Sequence, residues 1–332
     1  STLSVGETVQ LNANALDAHR SAVAGAALTW WSSNENAVTV SSSGLATAVG
    51  MGAATISATS GDVSGSATVT VIDLDIVEAL IGMSFETWWG GTQAADPSIG
   101  LSVAADEFTM SWGNFAARDL SSEPRIPFDN TPSYEYAEFL ENPWYDSYGA
   151  LSAVYDGMVV LNSATGADGP EFARAAAFAK LVQGLAHGWL ALMFDQAFVL
   201  DETVDLGGDI ELRPYTELWA AAVGYFEEAI SIAQSESFTL PSSWINGVSL
   251  SNDDMVRLIH SQLARWTPQF ARTPAERTAV DWNRVMSQVD AGITEAFYVM
   301  GDGEDDWQSG MLWFGFQTTS TTWARADYKT IG

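Results

Sequence analysis

The chain has 332 residues, of which 47% are hydrophobic and 11% aromatic, and its 13 basic and 42 acidic side chains give a formal net charge of −29. This apolar content excludes wholesale disorder, and no apolar run reaches the roughly 18 residues that a membrane span requires. So negative a surface repels nucleic acids and anionic membranes. Because the chain has no cysteine, disulfides, cysteine-ligated metals and thiol catalysis are excluded.

The first 74 residues consist of short runs of alternating apolar and polar residues, separated by turn residues. Such runs occur at 8–13, 37–40, 54–58 and 67–71, with Gly61-Asp62 between the last two. Strands at this spacing are typical of a β-sandwich, and the antibody-type Cys…Trp…Cys core is absent. We therefore predict a small immunoglobulin-like β-sandwich over residues 1–74.

Four blocks of this region resemble the bacterial immunoglobulin-like group 2 module, over almost all of residues 1–72. The resemblance implies a spacer or adhesion module and no catalytic chemistry. Trp31 is interpreted as core or interdomain packing, with a ligand platform as the alternative. The matching blocks are residues 3–11 (LSVGETVQL), 30–34 (WWSSN), 40–45 (VSSSGL) and 52–56 (GAATI).

From Asp75 onward the apolar residues recur at helical spacing, so residues 75–332 are predicted to be α-helical. The first helix is expected to run from Ile76 toward Trp88-Trp89 and to end at Gly90-Gly91. Residues 91–140 are weakly periodic and contain several prolines, which is typical of a functional surface or a poorly ordered segment.

Later helices are predicted from apolar stripes and capping residues. The stretch 142–200 predicts two helices joined by a turn, and a further helix is expected at about 215–234. A helix is also expected at about 252–270, where Ser251 and Asp254 have the spacing of a capping box. Another helix is predicted to begin at the capping sequence Thr273-Pro274-Ala275-Glu276, and its stripe of apolar residues continues to Ile293. Paired helices with short connections suggest a tetratricopeptide-like stack, although the tetratricopeptide consensus is absent.

Four blocks in this order resemble the SusD/RagB family of outer-membrane nutrient-binding proteins. The resemblance spans about 75–332, is closest over 140–293, and departs from the family where Gln196-Ala197-Phe198 replaces a Gly-Asp-Val-Pro type continuation. The blocks are 142–148 (NPWYDSY) with Leu161-Asn162, 171–175 (EFARA) to 192–195 (LMFD), 215–219 (YTELW) to 226–230 (FEEAI), and 256–270 followed by Asp281-Trp282.

The SusD/RagB resemblance implies an exported, lipid-anchored protein on the outer face of an outer membrane. Such proteins capture glycans or other nutrients for a TonB-dependent, SusC-like transporter, and they are not enzymes. The chain ends at Gly332, short of the usual family length. We therefore expect either that a C-terminal part is missing or that this is a shortened, repurposed member.

The family's ligand contacts lie on variable loops, so candidate binding residues come from the chain's own aromatic residues. Tryptophans at helical spacing are interpreted as core, namely Trp144, Trp189, Trp219, Trp266 and Trp282. Tryptophans outside clean periodicity are expected to stack on the C–H faces of sugar rings. The predicted ligand-binding residues are Trp88, Trp89, Trp112 and Trp307.

An acidic run near the C-terminus suggests a metal site. Asp302, Glu304 and Asp306 place carboxylates at alternate positions around Gly303, as calcium requires. The alternative is a solvated acidic turn, because the terminal glutamate of an EF-hand is absent. No other cofactor is expected.

Catalytic motifs are sparse. The chain has three histidines, of which His187 is interpreted as a core residue, and it has no nucleophile elbow, Walker loop or zincin motif. The acidic pairs Glu227-Glu228 and Asp253-Asp254 leave a glycoside hydrolase as a third alternative. The second alternative is a structural or interaction subunit of an extracellular or outer-membrane assembly.

Overall fold

The computed structural model describes residues 1–93, 95–105, 108–110, 117–124, 126, 129–164, 169–301, 307 and 324–326. Within these ranges, seven strands come first and a mostly helical region follows. The predicted order of a β module followed by α-helices is thus confirmed. No helix in the described ranges is long and apolar enough to cross a membrane.

The N-terminal strands form two sheets. One sheet has the order β1-β7-β6-β3 and the other the order β2-β5-β4. All neighbouring strands are antiparallel except β1 and β7, which run parallel. The strands are β1 (Thr2–Ser4), β2 (Thr8–Gln10), β3 (Thr29–Ser32), β4 (Val38–Val40), β5 (Leu45–Ala48), β6 (Gly52–Ser60) and β7 (Val63–Ile72).

Between the two sheets lies a small core that includes the fully buried Val38, Ile56 and Val69. Trp30 packs against this core, whereas Trp31 is 50% exposed. The prediction that Trp31 is a core residue is therefore wrong. Successive side chains on a strand point to opposite faces of the sheet, so only one of the two adjacent tryptophans can reach the core.

Nine helices and four short strands occur in the described part of the chain beyond Asp73. The helices are α1 (Leu74–Gln93), α2 (Ala95–Ala104), α3 (Ala117–Leu120), α4 (Glu138–Ser163), α5 (Pro170–Met193), α6 (Tyr215–Ala233), α7 (Asn252–Phe270), α8 (Pro274–Ala279) and α9 (Trp282–Asp290). The short strands form two antiparallel pairs, β8 (Phe108–Met110) with β11 (Ala324–Ala326) and β9 (Gln196–Ala197) with β10 (Arg213–Pro214).

Helix α5 lies at the centre of the helical region and packs against α1, α4, α6 and α7. Its residues are buried on all sides, and the buried polar side chains Lys180, Gln183 and His187 have hydrogen-bond partners. Close packing depends on glycine, because a Cβ on Gly184 would collide with the ring of Phe226 and one on Gly188 with the ring of Trp266. The core therefore leaves no room for even a methyl group at these crossings.

Two predicted helix boundaries are wrong. Gly90-Gly91 does not end α1, which continues to Gln93 because its C-terminal turn packs on α4, where a Cβ on Gly91 would collide with Asp146. The helix predicted from Thr273 to Ile293 is two helices. The capping box of Thr273 and Glu276 begins α8 as predicted, but Asp281 caps a separate helix, α9. Trp282, the first residue of α9, is 57% exposed, so its assignment to the core is wrong.

Candidate functional site

Three of the four tryptophans predicted to bind ligand lie together at the C-terminal half of α1. The ring of Phe85 is 5.4 Å from that of Trp88, 6.2 Å from that of Trp89 and 6.3 Å from that of Trp307, measured between centroids. Trp88 is 5% exposed and Trp307 is 7% exposed. Trp112 lies outside the described residues.

A cleft of about 270 Å³ opens beside this group of rings. We call it the aromatic cleft. Its walls come from α1, α5, α7 and the segment after α9. The described lining residues are Phe85, Trp88, Trp89, Gln93, Leu181, Leu185, Trp189, Leu258, Ser261, Gln262, Arg265, Trp266, Ile293 and Phe297.

The aromatic cleft also contains two tryptophans that helical spacing assigns to the core, Trp189 and Trp266. Their periodicity identifies the buried faces of α5 and α7, but a buried face can pack against a neighbour along part of its length and line a cleft elsewhere. Sequence reasoning missed them for this reason. Their burial and spacing do not differ from those of ordinary core residues, so no sequence signal would have found them.

The indole N–H groups of Trp88 and Trp189 are buried and have no hydrogen-bond acceptor in the described part of the chain. The two rings meet edge to face, with centroids 6.5 Å apart. A buried donor without a partner costs free energy, and such groups are few in folded proteins. Both residues line the aromatic cleft, but their indole nitrogens are themselves buried, so these tryptophans offer the cleft ring surface and no accessible donor.

Two other clefts lie on the helical region. One, of about 390 Å³, is lined by Asn130, Glu141, Trp144, Tyr145, Met193, Phe194 and Asp195, and Tyr145 in it is 65% exposed. The other, of about 460 Å³, lies beside the segment after α9 and includes Asp254, Arg257 and Glu295. Both contain carboxylates, unlike the described lining of the aromatic cleft.

His187 is fully buried on α5 and has both ring nitrogens bonded. Its Nδ1 lies 2.8 Å from the carbonyl oxygen of Gln183, and its Nε2 accepts the backbone N–H of Leu200 at 3.0 Å. These partners assign a neutral ring with the proton on Nδ1. Burial lowers the pKa of His187 to about 4. The residue is therefore part of the core, where it holds the segment that follows α5.

A buried ionic network reinforces this docking. Lys180 Nζ lies 2.8 Å from Glu202 Oε1 and 3.0 Å from Glu228 Oε2, and Gln183 donates to Glu202 Oε2 at 2.7 Å. Tyr225 donates its hydroxyl to Asp201 at 2.8 Å. The network connects α5 and α6 to residues 201–202. Lys180, Glu202 and Asp201 therefore each have a hydrogen-bonded or ion-paired partner within the fold.

Three of the four carboxylates considered for glycoside hydrolysis are engaged in ion pairs. Glu227 pairs with Arg284 at 2.9 Å, Glu228 pairs with Lys180, and Asp254 pairs with Arg257 at 3.0 Å. Ser251 caps α7 by accepting the backbone N–H of Asp254, as the sequence predicted. These contacts give the three carboxylates structural roles.

The predicted calcium ligands Asp302, Glu304 and Asp306 lie outside the described residues. Within the described ranges, no group of three or more histidine, aspartate or glutamate side chains is placed to hold a metal ion. The calcium site stays a prediction.

Comparison with known proteins identifies the N-terminal module. Residues 1–71 match the family described as "Bacterial Ig-like domain (group 2)". No curated protein matches the chain. One solved structure similar to it is that of a bacterial Ig-like domain containing GH10 xylanase from termite gut, at 14% identity over 87% of this chain and 74% of that chain, with a TM-score of 0.18. So low a score carries no argument about fold or activity.

Proposed function

We propose that this chain is a non-enzymatic cell-surface binding protein that captures glycans in the aromatic cleft and delivers them to a TonB-dependent, SusC-like transporter of the outer membrane. The observation that carries the proposal is the composition of that cleft, which brings together Trp88, Trp89, Trp189 and Trp266. The resemblance of residues 75–332 to SusD/RagB proteins supplies the protein class.

The chemistry of the aromatic cleft suits a saccharide. Sugar rings present C–H faces that pack on aromatic rings and hydroxyl groups that form hydrogen bonds. Gln93, Ser261 and Gln262 in the described lining offer polar groups for these hydroxyls. A volume of about 270 Å³ is at the lower end of ligand sites, so the cleft suits a short saccharide segment.

Calorimetry with a panel of soluble glycans tests the binding function. Trp89 is only partly buried, so Trp89→Ala removes a stacking surface while the fold is retained. We expect it to weaken glycan binding at least about fivefold, as truncation of an aromatic anchor does in other interfaces. Trp282→Ala is the matched control, because Trp282 is 57% exposed and lies outside the aromatic cleft.

Two results would overturn the binding function: no glycan binds, or Trp89→Ala and Trp282→Ala have equal effects.

The transport partner requires a separate experiment. We expect a TonB-dependent barrel to co-purify with the chain from native membranes, and its absence from a stable complex would remove that part of the proposal alone.

A structural or interaction subunit is the second candidate, and one observation favours it. Helix α9 exposes Trp282, Met286 and Val289, each more than half accessible, on a short amphipathic segment. Exposed apolar patches mark protein–protein contacts when they are contiguous. If this function is the right one, Trp282→Ala abolishes assembly measured by sedimentation velocity, and Trp89→Ala leaves it unchanged.

A further inference from the structure

We infer that the saccharide held in the aromatic cleft is acidic and that Arg265 binds its carboxylate. The inference rests on the proposed function and names the ligand class of the same site. Arg265 lies on α7, directly before Trp266. Leu258, Ser261 and Gln262 precede it by seven, four and three residues, which is the spacing of one helix face, and all of them line the aromatic cleft.

The first observation is the local charge. The chain carries 42 acidic and 13 basic side chains, yet the described lining of the aromatic cleft contains no carboxylate and one arginine. Each of the other two clefts includes at least two carboxylates, Glu141 and Asp195 in one and Asp254 and Glu295 in the other. The described lining of the aromatic cleft is thus cationic, although the chain as a whole is strongly anionic.

The second observation is that Arg265 has no hydrogen-bond or ion-pair partner among the residues that the structure describes. Among the arginines of the helical region whose side chains the structure describes, the others form ion pairs or a hydrogen bond, as Arg174 does with Glu78 and Arg257 with Asp254. Arg265 is exposed and makes neither kind of contact with another described residue. With so many carboxylates in the chain, an arginine left unpaired beside an aromatic wall has its donors free for a ligand.

The geometry of guanidinium explains why a carboxylate fits. Its planar fork donates two parallel N–H bonds to the two oxygens of a carboxylate, and such charge-assisted pairs are stronger than neutral hydrogen bonds. A uronic acid combines this carboxylate with a sugar ring that packs on indole. The net charge of −29 repels an acidic ligand that approaches the protein. Salt screens this repulsion beyond about 8 Å at physiological ionic strength, so the charges nearest the bound carboxylate matter most.

The test uses calorimetry on the whole chain with trisaccharides of galacturonic, glucuronic and mannuronic acid, each paired with its neutral methyl ester. We expect at least one acid to bind at least about tenfold more tightly than its ester, as a charge-assisted bond predicts. Arg265→Gln should remove this difference by weakening the acid alone. Arg257→Gln is the matched control, because Arg257 lies on the same helix and lines a different cleft.

Circular dichroism melting confirms that both variants fold. Equal affinity for acid and ester, or equal weakening of both by Arg265→Gln, would overturn the inference. So would tighter binding of a sulfated trisaccharide than of any uronate. If only neutral glycans bind and Trp89→Ala weakens them, the acidic ligand is wrong and the proposed function stands. If no glycan binds, both are overturned.

Discussion

The buried charges around His187 determine how the segment after α5 is held. Burial alone would lower the pKa of Lys180 and raise that of Glu202. Hydrogen bonds within the network outweigh burial, so the pKa of Lys180 is raised and the pKa of Glu202 is lowered. Both groups are therefore charged at neutral pH, and each depends on the other to remain buried.

Removing one member of this pair is expected to be costly. In Lys180→Met, the Glu202 side chain, which is 7% exposed, loses its cationic partner. Breaking a buried pair on one side destabilises proteins by about 3–5 kcal/mol. Urea unfolding should show this loss. The control Arg284→Met breaks an exposed pair with Glu227 and should change stability by less than about 1 kcal/mol.

The double variant Lys180→Met/Glu202→Met distinguishes a lost pair from lost packing. It removes both charges and keeps similar volume, so we expect it to recover most of the stability. If the double variant were as unstable as Lys180→Met, the uncompensated Glu202 charge would not be the cause.

His187 predicts a pH dependence of stability. Its pKa falls from 6.5 to about 4 on folding because burial disfavours the charged ring. Between these values the unfolded chain binds more protons than the folded chain, so stability rises with pH through this window and is level above it. From pH 6.5 down to pH 5 we expect a loss of about 2 kcal/mol from this residue.

Urea unfolding at pH 5.0, 6.5 and 7.5 measures this contribution. Asp201 and Glu202 have lowered pKa values and titrate below this window. Burial raises the pKa of Asp146, which gives a pH dependence of the opposite sign, so the histidine is isolated by comparison with a variant that lacks it. His187→Gln should flatten the dependence while His19 and His260 remain. An unchanged slope in the variant would assign the effect to another group.

At the scale of elements, the helical region depends on close approach between helices. α5 crosses α6 and α7 where Gly184 lies against Phe226 and Gly188 against Trp266. A small residue at a crossing lets two helices approach, and a well-packed core accepts no extra methyl group without strain. The Trp266 wall of the aromatic cleft is thus positioned by a glycine on the facing helix.

Gly188→Ala tests this packing. The new Cβ would collide with the Trp266 ring, so we expect destabilisation of about 1–3 kcal/mol in urea unfolding and weaker glycan binding. Gly224→Ala is the matched control on α6, where a Cβ meets nothing within 4 Å. There, alanine should be neutral or stabilise by up to about 1 kcal/mol, because it favours the helix. Equal effects of the two substitutions would contradict the role of Gly188.

Element boundaries show what a sequence encodes locally. Ser251 and Thr273 begin α7 and α8 as predicted, because a cap depends on residues within three positions of it. The ends of α1 and the break before α9 were predicted wrongly. Gly91 continues a helix because α4 covers it, and this contact lies far away in the chain.

At the scale of the whole molecule, two separate cores coexist with a large negative charge. The β module has its own core, while Ile72, the last residue of β7, belongs to the core of the helical region. Net charge far from zero favours solubility and destabilises the compact state through self-repulsion. At −29, this repulsion acts on both parts of the chain.

Salt should therefore stabilise the folded chain. Raising NaCl from 10 mM to 300 mM shortens the screening length and weakens the repulsion between surface carboxylates. We expect the melting temperature to rise by roughly 2–4 °C, which corresponds to about 1 kcal/mol for a region of this size. Near the isoelectric point the rise should vanish. A melting temperature that falls with salt at pH 7 would mean that surface ion pairs outweigh the repulsion.

The sequence by itself determined the order of a β module and a helical region, several helix starts and the N-terminal family, because these features depend on spacing within a few residues. Only the tertiary structure placed Trp189, Trp266 and Arg265 beside Trp88 and Trp89 in one cleft. Its wall residues extend from Phe85 to Phe297. Contacts between segments so far apart depend on how helices cross, and local periodicity contains no information about that.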